Sequence, residues 1–421
     1  MTDAIHIFVH NITSRDNTQS LDSVLPGARR YDQRALLIAQ AEDIVCLHGE
    51  VDDEYLNYLS TLGIGPQRDR VVVTADNGAT LPEALVKDRA SLDHIRTLVP
   101  LHLDVVLNPY IASPREFVLA TVLERLLCRK ITVIGGNPDI VTRANRKDIV
   151  LKEACARGVP VAPGEIVELT ECPLDVKRLK ETVLRQIGAT GNVIVRGVKD
   201  SPRIPPLLIN NNTTDVIGKL RRLVEQQTLH IYLVQVMFNI TVSPNVQFNI
   251  PPDGGSLSYV SVSDQILDAK LSHQGNVYPS LANTLPEMIA SARKISDWLQ
   301  GEDYTGILGI DFVEHICPQT AKPAHFLAEL NARVNAATYP HILMNRLGLK
   351  CAFLSISVTS SARSFSEFRS RCGRFLFDPA TGRGVIPYNT GCLSYGKCGL
   401  AIYGETRHVV QELYRSIVAI C

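Results

Sequence analysis

The stretch Glu329-Leu330-Asn331-Ala332-Arg333 ends an apolar run and follows a second strand-like segment, Gly306-Ile307-Leu308-Gly309-Ile310-Asp311-Phe312-Val313. Alternation along a strand turns the side chains of Glu329, Asn331 and Arg333 to one face. Asp311 adds a second carboxylate from the earlier strand. Such oxygens beside a guanidinium suit Mg²⁺ that bridges a polyphosphate. The alternative interpretation is the polar outer face of an antiparallel hairpin, because any half-buried strand alternates.

Length and charge limit the class of protein. A chain of 421 residues exceeds one compact core, so two or three domains are expected. The sequence is 45% hydrophobic and 20% charged, which is ordinary for a folded soluble protein. Lys+Arg and Asp+Glu both number 43, so nothing in the charge balance indicates binding to nucleic acid or to an anionic membrane.

Neither export nor a membrane span is indicated. The N-terminus has no cationic region followed by a long apolar run, and no segment approaches the roughly 18 apolar residues that a spanning helix needs. The ten cysteines are scattered without a CxxC pair. We therefore expect a cytoplasmic protein with reduced thiols.

The order of predicted elements divides the chain into three parts. Residues 1–140 alternate short apolar strands (5–9, 43–47, 71–73, 105–107 and 131–135) with helical segments, which predicts a parallel α/β domain. Residues 141–350 predict an α+β arrangement, in which a strand at 246–250 pairs with one at 231–238. Residues 351–421 are interpreted as a C-terminal subdomain that closes against the middle region.

The pattern Gly-x-x-Gly-x-Asp-Phe, followed by Glu-x-Asn-x-Arg, resembles the ATP-grasp superfamily. Ala337-Thr338-Tyr339-Pro340-His341 and Ser243-Pro244-Asn245-Val246-Gln247 are similar to runs in the pheganomycin-type peptide ligases. The resemblance covers most of residues 140–350. It implies an N-terminal α/β (pre-ATP-grasp) domain followed by two α+β lobes that hold ATP.

The resemblance also implies a set of ligand-binding residues. Asp311, Glu329 and Asn331 would bind one or two Mg²⁺ ions, and Arg333 would contact a phosphate. Lys152, with Lys147 as the alternative, would contact a phosphate from the helix before Gly158-Val159-Pro160, and Lys270 would contact the triphosphate.

Arg196 departs from the family pattern, which has Lys at the end of this strand and a Gly- and Ser-rich loop after it. The loop at 197–206 carries prolines, which lack the backbone N–H groups of a phosphate cradle. Arg196 would then act as the phosphate cation, or Lys199 and Arg203 would take over, or the loop would serve another role.

The adenine pocket is expected near 234–238. There the side-chain oxygen of Gln235 would accept a hydrogen bond from the adenine amino group. Backbone groups of Val236 and Phe238 would hold the base edge. His341, just after the motif, is a candidate for contact with a substrate.

A family member of this type would be an ATP-dependent carboxylate–amine ligase that acts on small molecules. An amino acid is the expected acid or amine, as in the peptide ligases of secondary metabolism. One alternative is transfer to the thiol of an acyl carrier protein, docked on arginines such as Arg363, Arg369 and Arg371. The other is a nucleotide-binding protein without turnover. The sequence leaves a homodimer open.

Overall fold

The computed structural model describes residues 4–12, 26–75, 79–169, 176–199, 204–227 and 229–421. Three sheets, flanked by helices, organise these residues. The elements are described in chain order, because each sheet contributes one wall of the cleft described below.

The first sheet is parallel, as the sequence predicts. Its five described strands have the order β3-β2-β1-β4-β5. They are β1 (Ala4–Val9), β2 (Ile44–His48), β3 (Val71–Thr74), β4 (Asp104–Pro109) and β5 (Ile131–Val133). The helices around them are α1 (Asp53–Thr61), α2 (Leu81–Lys87), α3 (Arg89–Leu98) and α4 (Pro114–Leu127). A 3-10 helix, Ala28–Leu37, precedes β2.

A second unit, the small sheet, is antiparallel. Its strands have the order β6-β9-β7-β8. They are β6 (Gly164–Glu168), β7 (Asn192–Gly197), β8 (Leu207–Asn210) and β9 (Ile231–Val236). The helices of this part are α5 (Pro138–Ala144), α6 (Lys147–Ala156), α7 (Lys177–Thr190) and α8 (Val216–Gln226).

The large sheet contains the remaining nine described strands. They are β10 (Ile240–Val242), β11 (Pro244–Ile250), β12 (Ser258–Leu267), β13 (His273–Tyr278), β14 (Gly306–Ile316), β15 (Pro323–Asn331), β16 (Ala352–Thr359), β17 (Gly384–Tyr388) and β18 (Lys397–Gly404). The helices here are α9 (Leu285–Gly301), α10 (Thr338–Arg346), α11 (Phe365–Cys372) and α12 (Arg407–Val418).

The predicted pairing of 246–250 with 231–238 is wrong. Strand β11 pairs with β12 and β14, whereas β9 pairs with β6 and β7 in the small sheet. A short turn at 243–245 suggested a hairpin, but the chain instead passes from one sheet to the other between these strands.

The C-terminal part extends the large sheet. Strand β16 pairs with β13, so the boundary predicted at residue 350 falls inside one continuous sheet. The same part also packs on the N-terminal unit, since Phe353 and Phe365 share a buried cluster with Phe8 and Tyr55. The rings of Tyr55 and Phe365 lie 5.2 Å apart. Residues 351–421 are therefore held in place by contacts with both the N-terminal unit and the middle region.

Helix α9 shows why the sequence folds this way locally. Met288, Ala292, Ile295 and Leu299 recur at helical spacing and are fully buried. Burial of each larger side chain contributes about 1.5–3 kcal/mol relative to exposure. In the part of the chain that the structure describes, no helix is both long and apolar enough to cross a membrane.

Candidate active site

A cleft of 790 Å³ lies between the small sheet and the large sheet. This volume is in the range that holds a small-molecule ligand or cofactor. Ten of the predicted site residues line it: Arg196, Lys199, Gln235, Val236, Phe238, Lys270, Asp311, Glu329, Asn331 and Arg333. Lys152 and His341 do not.

Strand register brings the predicted metal-binding side chains together. Asp311 on β14 pairs with Glu329 on β15, and Gly309 pairs with Asn331. The Asn331 Nδ2 donates to Asp311 Oδ2 at 2.9 Å. Cross-strand neighbours of this kind lie about 5 Å apart. The two carboxylates and the amide therefore form one polar patch on the cleft wall.

A network of buried amides holds the side chain of Asp311 in place. Asn245 Nδ2 donates to Asp311 Oδ1 at 2.6 Å, and its Oδ1 accepts from Gln247 at 3.0 Å and from Asn335 at 3.2 Å. Thr338 Oγ1 donates to Gln247 Oε1 at 2.8 Å. Fully satisfied buried networks of this kind hold side chains in one arrangement.

Gly309 is required by this network. A Cβ atom at residue 309 would collide with the side-chain amides of Asn335 and Asn245. The second glycine of the Gly-x-x-Gly-x-Asp pattern thus leaves room for the amides that position Asp311. In the sequence, Asn245 stands out only as part of a run similar to the peptide ligases. Asn335 could not be identified there, because no spacing rule connects it with Asp311.

Lys147, and not Lys152, reaches the cleft. Lys147 is 4% exposed, and its Nζ lies 3.2 Å from Glu329 Oε2. Lys152 is exposed and does not line the cleft. Five residues turn a helix by about 140° beyond one full turn, so the two side chains cannot share a face of α6. Lys152, the first choice from the sequence, is therefore wrong as a residue of the cleft, whereas Lys147, the alternative, lines it.

Arg196 joins the walls of the cleft. Its Nη2 donates to Gln235 Oε1 at 3.0 Å and to the carbonyl of Ala328 at 3.0 Å. Gln235 also donates from Nε2 to the carbonyl of Ala162 at 3.2 Å. The side-chain oxygen assigned to adenine therefore accepts a hydrogen bond from Arg196, and since an amide oxygen can accept two, its contact with adenine stays a prediction.

One of the backbone groups expected at the base edge already has a partner within the protein. The N–H of Val236 donates to the carbonyl of Pro163 at 2.9 Å, so it is not available to a ligand. Phe238 instead contributes its ring, which stacks on His315 at 4.1 Å and lies 5.5 Å from Phe326. These rings give this end of the cleft an aromatic wall.

Two further lysines, Lys199 and Lys270, line the cleft, and both are exposed. Lys199 forms an isolated antiparallel bridge with Arg146. Lys270 lies in a turn organised by Asp268, whose Oδ1 accepts from the N–H groups of Lys270 and Ser272 at 2.8 Å each. Arg203, the other cation proposed for the loop, lies outside the described residues.

Arg333 links the motif to the N-terminal unit. It is 7% exposed, donates from Nη2 to Asn331 Oδ1, and its Nη1 lies 3.4 Å from the hydroxyl of Tyr110. Tyr110 directly follows β4 and lines the cleft. Sequence analysis missed it, although the residue after a parallel strand lies at the edge where α/β sheets bind ligands.

His341 does not contact the cleft. It is buried, its Nε2 lies 3.1 Å from Asn345, and burial lowers its pKa. Its order along the chain suggested a substrate contact, but it is not among the residues that line the cleft.

The chain resembles known proteins in sequence over its first part and in structure over its whole length. Residues 32–124 match the family model of the Pre ATP-grasp domain. A search of curated proteins gave no match.

Among solved structures, an ADP complex of an N5-carboxyaminoimidazole ribonucleotide synthetase superposes with a TM-score of 0.58 at 11% identity, over 99% of this chain and 96% of that chain. The biotin carboxylase of Campylobacter jejuni gives a TM-score of 0.58 at 13% identity, over 100% and 91%. An ATP complex of carboxyaminoimidazole ribonucleotide synthase from Aspergillus clavatus gives 0.54 at 12% identity, over 100% and 99%. Identities this low establish the fold alone. The chain therefore has the ATP-grasp fold, and its N-terminal unit carries a Pre ATP-grasp domain.

Proposed function

We propose that this protein is an ATP-dependent, ADP-forming ligase that joins a carboxylate to an amine through an acyl phosphate. The observation that carries the proposal is the register pair Asp311 and Glu329, facing a cleft that also contains Lys147, Arg196 and Arg333. The paired carboxylates suit Mg²⁺, and the surrounding cations suit a polyphosphate, so the site as a whole suits the two bound together.

The donor set fits Mg²⁺ that shares its ligands with phosphate. Among the described residues, no group of three or more His, Cys, Asp or Glu side chains could hold a metal by itself. Asp311, Glu329 and the Asn331 amide offer oxygen ligands, which Mg²⁺ normally completes with substrate phosphates and water. When bound, the ion would neutralise charge on the phosphate oxygens during transfer.

The position of the nucleotide follows from the chemistry of the walls. The rings of Phe238 and Phe326 offer a flat apolar surface to adenine. The exposed amines of Lys199 and Lys270 offer charge to the triphosphate. The structural neighbours include complexes with ADP and with ATP, which supports ATP as the substrate here.

The proposed reaction has two steps. A carboxylate oxygen attacks the γ-phosphorus, the bond to the β–γ bridging oxygen breaks, and ADP leaves. An amine nitrogen then attacks the acyl carbon, phosphate leaves, and the nitrogen loses a proton. Lys147 and Arg333 stabilise the charge that develops on transferred phosphate, and the cleft excludes water from the acyl phosphate.

An amino acid is the proposed class of substrate, and peptide-bond formation in secondary metabolism is the proposed setting. Cytoplasmic location and a homodimer stay predictions. Transfer to a carrier-protein thiol differs only in the acceptor. Bicarbonate is a further candidate acid, since the names of two neighbours denote formation of a carboxylated product.

The test measures ADP release with Mg²⁺-ATP against a pool of amino acids and bicarbonate, with and without hydroxylamine. Acid-dependent ADP together with an acyl hydroxamate is expected, since hydroxylamine traps an acyl phosphate. ATP binding without ADP release from any acid would contradict turnover and favour a nucleotide-binding protein. Release of AMP instead of ADP would contradict the acyl phosphate.

A further inference from the structure

Arg34 is a buried cation outside the site described so far. It lies on the 3-10 helix of the N-terminal unit and is 8% exposed. Its guanidinium carbon lies 4.5 Å from the ring of Tyr31 and 5.7 Å from the rings of Tyr339 and Tyr388. Within the described residues, its Nε is buried without a hydrogen-bond partner and no carboxylate forms an ion pair with it.

Aromatic rings do not satisfy a guanidinium completely. They attract the charge through their faces, but the N–H groups in the guanidinium plane need oxygen acceptors. A buried charge that lacks a counter-charge is destabilising, and proteins normally pair it. An oxygen anion beside Arg34 would therefore supply both the missing hydrogen-bond acceptor and the missing counter-charge.

The position of Arg34 in the fold points to a ligand. Strands β1 and β4 are parallel neighbours, and from them the sheet continues in opposite directions, to β2 and to β5. In open α/β sheets, ligands bind outside the carboxyl ends of the strands at this switch point. His10 follows β1 and Tyr110 follows β4, so both lie at that edge.

These residues form one group with the cleft, here called the switch-point cluster: His10, Arg34, Tyr110 and Tyr339. His10 Nδ1 lies 2.9 Å from the Tyr339 hydroxyl, while its Nε2 is buried without a hydrogen-bond partner. Tyr110 lines the cleft. The rings of His10 and Tyr110 lie 6.5 Å apart, so the cluster meets the cleft at Tyr110. Two of its buried nitrogen atoms, Arg34 Nε and His10 Nε2, have no hydrogen-bond partner among the described residues.

The charges around the cluster are positive or absent. Burial lowers the pKa of His10 to about 3, with Arg34 acting in the same direction, so this ring is neutral. His273, at the cleft, also has a lowered pKa because of burial and the charges of Arg34 and Arg333. Asp32, the carboxylate on the same helix as Arg34, instead accepts from the N–H of His48 at 2.6 Å.

We propose that the switch-point cluster binds a free carboxylate of a substrate, with Arg34 as its cation, and that this carboxylate is not the one that becomes phosphorylated. The proposal rests on the proposed function. The reacting carboxylate must lie beside Asp311 and Glu329, whereas the switch-point cluster is linked to that pair only through Arg333, which contacts both Asn331 and Tyr110. The substrate is therefore an amino acid or short peptide that is held by one end and reacts at the other.

The first test is binding without turnover. The probes are the common L-amino acids and the matching carboxamides, measured by calorimetry on the full chain with Mg²⁺-ADP present. Wild-type protein should bind at least one carboxylate about 10-fold to 100-fold more tightly than its carboxamide. Arg34→Met should remove that preference, Arg34→Lys should keep part of it, and Arg68→Met, an exposed arginine of the same unit, should keep all of it.

Two outcomes would contradict the proposal. One is that no probe binds wild type with a preference for the carboxylate; the other is that folded Arg34→Met keeps the preference. The melting temperature of the ligand-free variants provides a separate check, because a purely structural cation would leave Arg34→Met less stable. A binding cation without a counter-charge predicts that Arg34→Met is at least as stable as wild type.

A second assay identifies which substrate carries the carboxylate. Hydroxylamine replaces the amine substrate, so hydroxamate formation depends on the acid alone. If the amine substrate carries the held carboxylate, Arg34→Met should lower amide formation about 10-fold more than hydroxamate formation. Equal losses would assign it to the acid substrate. If wild type releases no ADP with any acid, the proposed function fails, while the calorimetry still decides whether Arg34 binds a carboxylate.

Discussion

The two sides of the cleft are built differently. On one side, Asp311, Glu329 and Asn331 lie on paired strands and are held by buried amides. On the other side, Lys199 and Lys270 are exposed and lie outside the regular strands, Lys270 in a turn and Lys199 at an isolated bridge. Rigid elements hold groups that must meet the reacting atoms, whereas mobile cations can follow the phosphates as they enter and leave. Substitutions on the two sides should therefore have effects of different size.

The largest effect is expected at Asp311. Asp311→Asn keeps the shape but removes the charge that would face the metal, so turnover should fall at least about 100-fold. Asp297→Asn, on the exposed face of α9, is the matched control and should behave as wild type. The measurement is ADP release, with circular dichroism to check folding. Wild-type rates from Asp311→Asn would show that the strand side does not hold the metal.

Lys147 and Lys152 provide a comparison within one helix. Lys147→Met should lower turnover about 10-fold to 100-fold, because a buried cation beside Glu329 is lost. Lys152→Met removes an exposed lysine and should leave the rate within about 2-fold, as most surface substitutions do. Equal losses in the two variants would reject the assignment of Lys147 to the cleft.

An intermediate effect is expected at Arg196. Arg196→Lys keeps the charge but cannot donate to Gln235 and Ala328 with the same planar fork. Activity should fall less than about 10-fold, and the free energy of unfolding by about 1 kcal/mol. Urea denaturation and steady-state kinetics measure the two quantities. Complete loss of activity in a stable variant would mean that the fork itself contacts the phosphates.

The smallest effects are expected at the two exposed lysines, Lys199 and Lys270. Lys270→Met and Lys199→Met should each raise the KM for ATP about 2-fold to 5-fold with little change in kcat, since exposed charges interact weakly. The difference from wild type should shrink as salt rises from about 0.05 to 0.5 M, because ions screen exposed charges. A large decrease in kcat that persists at high salt would contradict the predicted difference between the strand residues and the exposed lysines.

The sequence predicted the strand side well for a physical reason. Alternation along β15 placed Glu329 and Asn331 on one face, and the register between β14 and β15 brings Asp311 opposite Glu329. The parallel α/β unit was equally accessible, since its strands are short apolar runs separated by helices. These features are local and periodic.

Other features depend on contacts that no local pattern encodes. The partners of β11 could not be deduced from the turn before it, because both partner strands, β12 and β14, come later in the chain. The hydrogen bond from Arg196 to the side-chain oxygen of Gln235 was not predicted either, because it joins two strands that are far apart in sequence. Arg34 and Tyr110 were missed because they reach the cleft from a distant part of the chain through the topology of the first sheet.

The most direct test of the central claim follows oxygen during the reaction. Acid substrate labelled with ¹⁸O in its carboxylate is converted with Mg²⁺-ATP and amine, and the products are examined by mass spectrometry. Formation of an acyl phosphate at the cleft predicts one ¹⁸O atom in the released phosphate and none in ADP. Unlabelled phosphate, or label in AMP, would contradict the account.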